Sequence, residues 1–221
     1  MSEDDLLVYY LQRYVNNRKQ FFPKVQAIST LPTSPDIDLL FINQEKRLVI
    51  GYEFKVLKYY KNWTRKGVSY RPIYEGIGEA LAYFQHGIDK CYLVLGLVDL
   101  PSEWVTKMLE KIKQITSIFN MFTDLFTGWS KEIHNLEKIS PKMQDYFDIK
   151  LNRPRIGDSE DRQWGFGCFG IIVLTKDYCS EVKKAEEYFP VSENEDLSQL
   201  KECLLRKQFR YKKNFLKTVD S

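Results

Sequence analysis

The chain has 221 residues, 43% of them hydrophobic and 29% charged, a makeup that fits a globular protein and excludes collagen, wholesale disorder and a membrane bundle. Its 33 Lys and Arg against 30 Asp and Glu leave a net charge of only +3, so the placement of the charges, not their total, must decide whether nucleic acid is a partner. The cysteines Cys91, Cys168, Cys179 and Cys203 form no CxxC pair, and His86 and His134 stand in no ligand spacing, which argues against a structural zinc site or a disulfide framework.

Residues 4–20 carry Leu6, Leu7, Tyr10, Leu11, Tyr14 and Val15 at helical spacing, with Ser2 as the cap and Pro23 as the stop. The acidic start gives no sign of a signal peptide, and no apolar run approaches the ~20 residues of a membrane span, so the expectation is an intracellular protein of one domain. Residues 25–31 read as a short strand, 31–35 as a proline turn, and 36–42 and 47–56 as two strands of a hairpin. From Arg71-Pro72 to Gly87, Ile73, Ile77, Ala80, Leu81 and Phe84 mark a helix, and residues 90–98 a buried strand, so that strand, helix and strand form a crossover packed on a sheet. A further helix starts at Pro101-Ser102-Glu103 and ends in an aromatic stripe from Ile115 to Trp129, residues 130–162 read as helix fragments and loop, 165–175 as one more strand, and 195–217 as a terminal helix.

The informative stretch is the hairpin. Asp36, Asp38, Glu53 and Lys55 lie among Ile, Leu, Val and Phe, and burying such groups costs several kcal/mol unless something offsets it. With the turn centred between Glu45 and Lys46, Asp38 faces Glu53, Asp36 faces Lys55, and all four project from one side. Opposed like charges repel unless a cation sits between them, and paired carboxylates are natural ligands of a hard ion such as magnesium. The lysine beside that ion would hold a water nucleophile or neutralise charge growing on a phosphate oxygen. The competing reading is a half-wet edge hairpin with solvated charges.

These residues resemble the PD-(D/E)XK nuclease superfamily. Pro35-Asp36 and Asp38 match its first half-motif and Glu53-Phe54-Lys55 its ExK half, while Glu79 and Tyr83 fall where RecB-like nucleases have the Gln and Tyr of a QxxxY element. The resemblance covers about residues 1–98 and leaves 99–221 as an extension. It implies an α/β, restriction-endonuclease-like core with a central mixed sheet flanked by helices, and a Mg2+ (or Mn2+) ion held by Asp38 and Glu53 with the carbonyl of Phe54. Asp38 is favoured over Asp36 as the first-strand ligand. The core is also similar to archaeal Holliday-junction resolvases, where a first-helix glutamate joins the site, and Glu3 is the glutamate available here; a fainter similarity is to nucleases of archaeal spindle-shaped viruses.

Between Lys55 and Tyr74 there is no acidic residue, while Lys58, Lys61, Arg65, Lys66 and Arg71 alternate with Tyr59, Tyr60, Trp63 and Tyr70. Cations there would neutralise phosphates and aromatics would stack on bases, which makes DNA the expected partner, with RNA left open. The residues 206–217 are a second basic run, read as a solvated helix face, and the 115–129 stripe would serve a dimer if it were not core. The expected function is therefore a metal-dependent nuclease, and the alternative a catalytically inactive DNA-binding or assembly protein on the same fold.

Overall fold

The computed structural model describes residues 1–28, 36–61, 66–117, 169–185 and 195–220. In chain order they form α1 (Glu3–Tyr14), β1 (Phe21–Ile28), β2 (Ile37–Asn43), β3 (Leu48–Val56), β4 (Tyr59–Lys61), β5 (Lys66–Val68), α2 (Arg71–Ala82) and β6 (Lys90–Gly96). A helix α3 over residues 102–117 follows, then β7 (Phe169–Leu174), β8 (Cys179–Lys183), α4 (Glu195–Leu205), β9 (Phe209–Tyr211) and α5 (Lys213–Asp220). Seven strands make one mixed sheet in the order β8-β7-β6-β3-β2-β1-β9, and β4 with β5 makes a separate two-stranded ribbon. β3, β6 and β7 run parallel to one another, whereas β2 pairs antiparallel with both β1 and β3. The protein is thus α/β, with a central mixed sheet flanked by helices. No helix among the described residues is long and apolar enough to cross a membrane.

The hairpin forms as its sequence dictates. Leu39 pairs with Tyr52 and Asn43 with Leu48, and the turn is closed by Arg47 N–H donating to the Gln44 carbonyl at 3.2 Å. That register sets Asp38 across from Glu53, as the turn position predicts. Asp36 differs from expectation: it precedes β2, and its side chain is exposed, so it forms no ladder pair with Lys55.

The two faces of the sheet carry separate cores. Beneath α1 and α5, Leu6, Leu7, Tyr10 and Leu11 meet Leu39, Tyr52, Phe54, Val94 and Ile172. Beneath α2, α3 and α4, Ile73, Ile77, Ala80, Met108 and Leu204 meet Leu40, Val49, Leu93 and Leu95. Alternation along β3 therefore sends Tyr52 and Phe54 to one layer, and Glu53 with Lys55 to the α2 layer. Continuous apolar strands with both faces covered are what a parallel segment requires.

Gly76 lets α2 approach the sheet. A Cβ placed there would lie 2.5 Å from Leu93 Cδ1 and 2.8 Å from Lys55 Cγ. Gly76→Ala is expected to destabilise the protein by about 1–3 kcal/mol, the usual cost of overpacking, with urea denaturation as the measurement.

Several elements differ from the sequence expectation. α1 ends at Tyr14, and Pro23 lies inside β1 opposite Leu39; Asn17 instead starts a short 3-10 turn, Arg18–Gln20. The expected helix over 71–87 ends at Ala82 and continues as a 3-10 turn, Tyr83–His86. The expected terminal helix is broken after Leu205: Lys207 has a left-handed φ of 56°, and β9 follows, pairing with β1. β8, unexpected, closes the other edge against β7. Both edge strands and β7 come from the presumed extension, yet they join the same sheet. Of the 115–129 stripe, Ile115 is buried on the inner face of α3, and residues 118–129 lie outside the described residues, as do 130–162.

Candidate active site

Four elements converge at the end of the sheet where β2 begins and β3 finishes. β2 supplies Asp38, β3 supplies Glu53 and Lys55, α2 supplies Glu79, and the first turn of α1 supplies Glu3 and Asp4. Asp38 and Glu53 are 8% and 4% exposed, which removes the solvated-edge reading, since solvated carboxylates would not be buried on central strands.

Each buried carboxylate is fully engaged. Asp38 Oδ2 accepts the backbone N–H of Phe54 at 2.9 Å, and its Oδ1 lies 2.6 Å from Lys24 Nζ. Lys55 Nζ is 2.7 Å from Glu53 Oε1 and 2.6 Å from Glu79 Oε2, with Glu3 Oε1 at 3.8 Å. The Tyr83 hydroxyl donates to Glu53 Oε2, stands 3.2 Å from the Asp36 carbonyl and accepts the Asp38 N–H at 3.4 Å. Asp36 thus reaches the site through its backbone alone.

Charge is unbalanced here. Among the described residues, the carboxylates of Glu3, Asp4, Asp38, Glu53 and Glu79 meet only the ammonium groups of Lys24 and Lys55. Burial, then the neighbouring Glu79 and Asp38, push the Glu53 carboxyl up to about 8. Glu79 moves the other way: partial burial would raise it, but its bonds to Glu53 and Lys55 outweigh that and hold it below the usual range. Burial would lower Lys55, yet Glu53, Glu79 and Glu3 outweigh it and hold the ammonium above the ordinary lysine value. Lys55 is therefore a fixed positive charge at neutral pH.

Lys24 and Asp4 are the residues that the sequence reading missed. Lys24 Nζ bridges Asp38 and Asp4, the latter at 2.9 Å, from a β1 position with a φ of 50°, a conformation that non-glycine residues adopt rarely and mostly where the surroundings impose it. Among the described residues, no group of three or more His, Cys, Asp and Glu side chains is gathered so as to hold a metal ion. The donor set is nevertheless all oxygen and over-supplied with negative charge, the chemistry that suits a hard divalent cation. His86 stands apart, its Nδ1 without a hydrogen-bond partner and its pKa lowered by burial.

The basic segment after β3 folds into the β4–β5 ribbon. Lys58, Lys61, Lys66 and Arg71 are exposed, Arg71 pairing with Glu75 at 2.6 Å; Trp63 and Arg65 lie outside the described residues. Tyr59 does not face a ligand, because its ring packs on Trp104 with centroids 5.6 Å apart.

Tyr83 joins both carboxylate strands to α2. Tyr83→Phe would strip Glu53 of a donor and the buried Asp38 N–H of an acceptor, an expected loss of ~1–3 kcal/mol. Equal denaturation midpoints for the variant and the parent would contradict that role. No family model, curated protein or solved structure matches the chain.

Proposed function

We propose that the protein is a metal-dependent nuclease of the PD-(D/E)XK type that hydrolyses phosphodiester bonds of DNA, the sheet around β3 forming a restriction-endonuclease-like core. The observation that carries the reading is the burial of Asp38 and Glu53 on one face of adjacent central strands, with Lys55 between Glu53 and Glu79. Burying these two carboxylates costs several kcal/mol per ion, and a cation site would account for that cost.

Asp38 and Glu53, with the Phe54 carbonyl, would hold Mg2+ or Mn2+, and the bound ion would supply a lowered water pKa and positive charge at the phosphate. Lys55, kept charged by its three carboxylate neighbours, orients water and offsets charge on the phosphate oxygens rather than accepting a proton. Glu79 and Tyr83 hold Lys55 and Glu53 in place. Glu3 is close enough to act on the same groups. Lys58, Lys61, Lys66 and Arg71, with Trp63 and Arg65, are the proposed nucleic-acid contacts.

One observation favours the second reading, a DNA-binding or assembly protein without catalysis: Lys24 already neutralises Asp38. Incubation of the protein with single-stranded, duplex, flap and four-way DNA, with Mg2+, Mn2+ or EDTA, separates the two. Scission that needs the metal is expected. Binding without scission under every metal condition favours the second reading, and the same assay with RNA tests the sugar.

A further inference from the structure

We infer that the β4–β5 ribbon and one stripe of α3 together form a binding surface for an unpaired nucleic-acid strand. Trp104, Lys107 and Lys111 are three and four residues apart and so lie on one face of α3. That face packs on the ribbon. The Trp104 ring meets Tyr59 of β4, and a Cβ on Gly67 of β5 would lie 3.7 Å from its Cη2 atom. Lys107 Nζ stands 4.7 Å from the Trp104 centroid, and Lys111 Nζ stands 5.8 Å from that of Tyr70, which joins the ribbon to α2.

Three tyrosines around this junction are unusually bare, Tyr60 at 50%, Tyr70 at 38% and Tyr74 at 57% exposed. Strand alternation explains the contrast between Tyr59, which packs inward, and Tyr60, which faces out. Exposed rings interleaved with cations fit a strand whose bases are free to stack, because a duplex hides its base faces and would need lysines alone. Arg71 already engages Glu75. Glu103 and Glu110 of α3 are four and three residues from Lys107 and so flank it on the side away from Trp104 and Lys111. In chain order the ribbon leaves the end of β3, just after Lys55, and runs into α2, which carries Glu79, so a strand held there would lead to the proposed active site. The substrate class implied is DNA with a single-stranded portion beside the bond cut. The route to the site rests on the nuclease reading; the grip on the strand does not.

Fluorescence anisotropy in EDTA, with labelled oligothymidylate, oligouridylate and a duplex of equal length, measures the grip alone. The single strands are expected to bind more tightly than the duplex. Alanine at Tyr60, Tyr70 or Tyr74 is expected to weaken single-strand binding by roughly fivefold or more each, the range for loss of one stacked base. The double change Lys107→Glu and Lys111→Glu is expected to lower the slope of log affinity on log salt by at least ~1.4, about 0.7 per phosphate contact. Lys113→Glu, exposed on the opposite side of α3, serves as the control for net charge and is expected to change the slope least, with thermal melting confirming that all variants are folded. Duplex binding as tight as single-strand binding, or equal effects of the Lys113 change and the double change, would overturn the inference. Metal-dependent scission combined with that outcome removes this surface and leaves the nuclease reading standing; tight single-strand binding without scission does the reverse.

Discussion

Glu53→Gln and Lys55→Ala are each expected to reduce metal-dependent DNA scission at least ~10²–10³-fold, the scale for losing one preorganised charged group at a reacting phosphate. The two variants probe different things. Gln keeps the shape of Glu53 and can still accept the Tyr83 hydroxyl, so the fold should persist while the negative charge that would hold the ion disappears. Lys55→Ala removes the ammonium that bridges Glu53 and Glu79 through 2.7 and 2.6 Å contacts, which leaves two acidic groups side by side without the cation between them. That variant should recover part of its thermal stability on adding Mg2+, because an ion bound only by the folded state stabilises it. Circular dichroism establishes that both proteins are folded at the assay temperature. Undiminished scission by either one would sink the catalytic assignment.

The second large effect is on stability. Asp89 follows α2 and is completely buried; its Oδ1 lies 2.6 Å from Lys201 Nζ of α4, and its Oδ2 accepts the Val49 N–H of β3 at 2.8 Å. The pair thus clamps α4 to the start of β3. Removing either member takes the ion-pair partner from a buried charged group, so Asp89→Ala or Lys201→Met is expected to cost ~3–5 kcal/mol, measured by chemical denaturation. Replacing both with apolar residues should cost less than the two single changes together. Additive losses would mean that the two groups do not depend on each other.

The central part of the site is legible in the sequence because a short turn fixes a hairpin's register. Once Asn43 and Leu48 flank the turn, Asp38 must oppose Glu53, and the apolar neighbours make the strand a buried one. Lys24 and Asp4 are not legible in this way. Their meeting with Asp38 depends on β1 pairing with β2 across residues 29–36, and neither the proline turn nor the helix-like spacing before it reveals that register. The end of the helix at Leu205 is hidden for another reason: Leu200 and Leu204 keep helical spacing, and residues 206–208 hold no glycine or proline to interrupt it. The role of Tyr59 was misread because an aromatic-basic run does not say which rings face inward until the strands within it are known.

The pairing of β9 with β1 has a consequence for how the polypeptide acquires its shape. β1, the strand that carries Lys24, keeps one side of its backbone unpaired until residues 209–211 have emerged from the ribosome, long after β1 itself. Contacts this remote in sequence are slow to form, and a bare strand margin is a template for other chains. Products that stop before residue 209 should therefore clump together, and those that include β9 should stay dispersed.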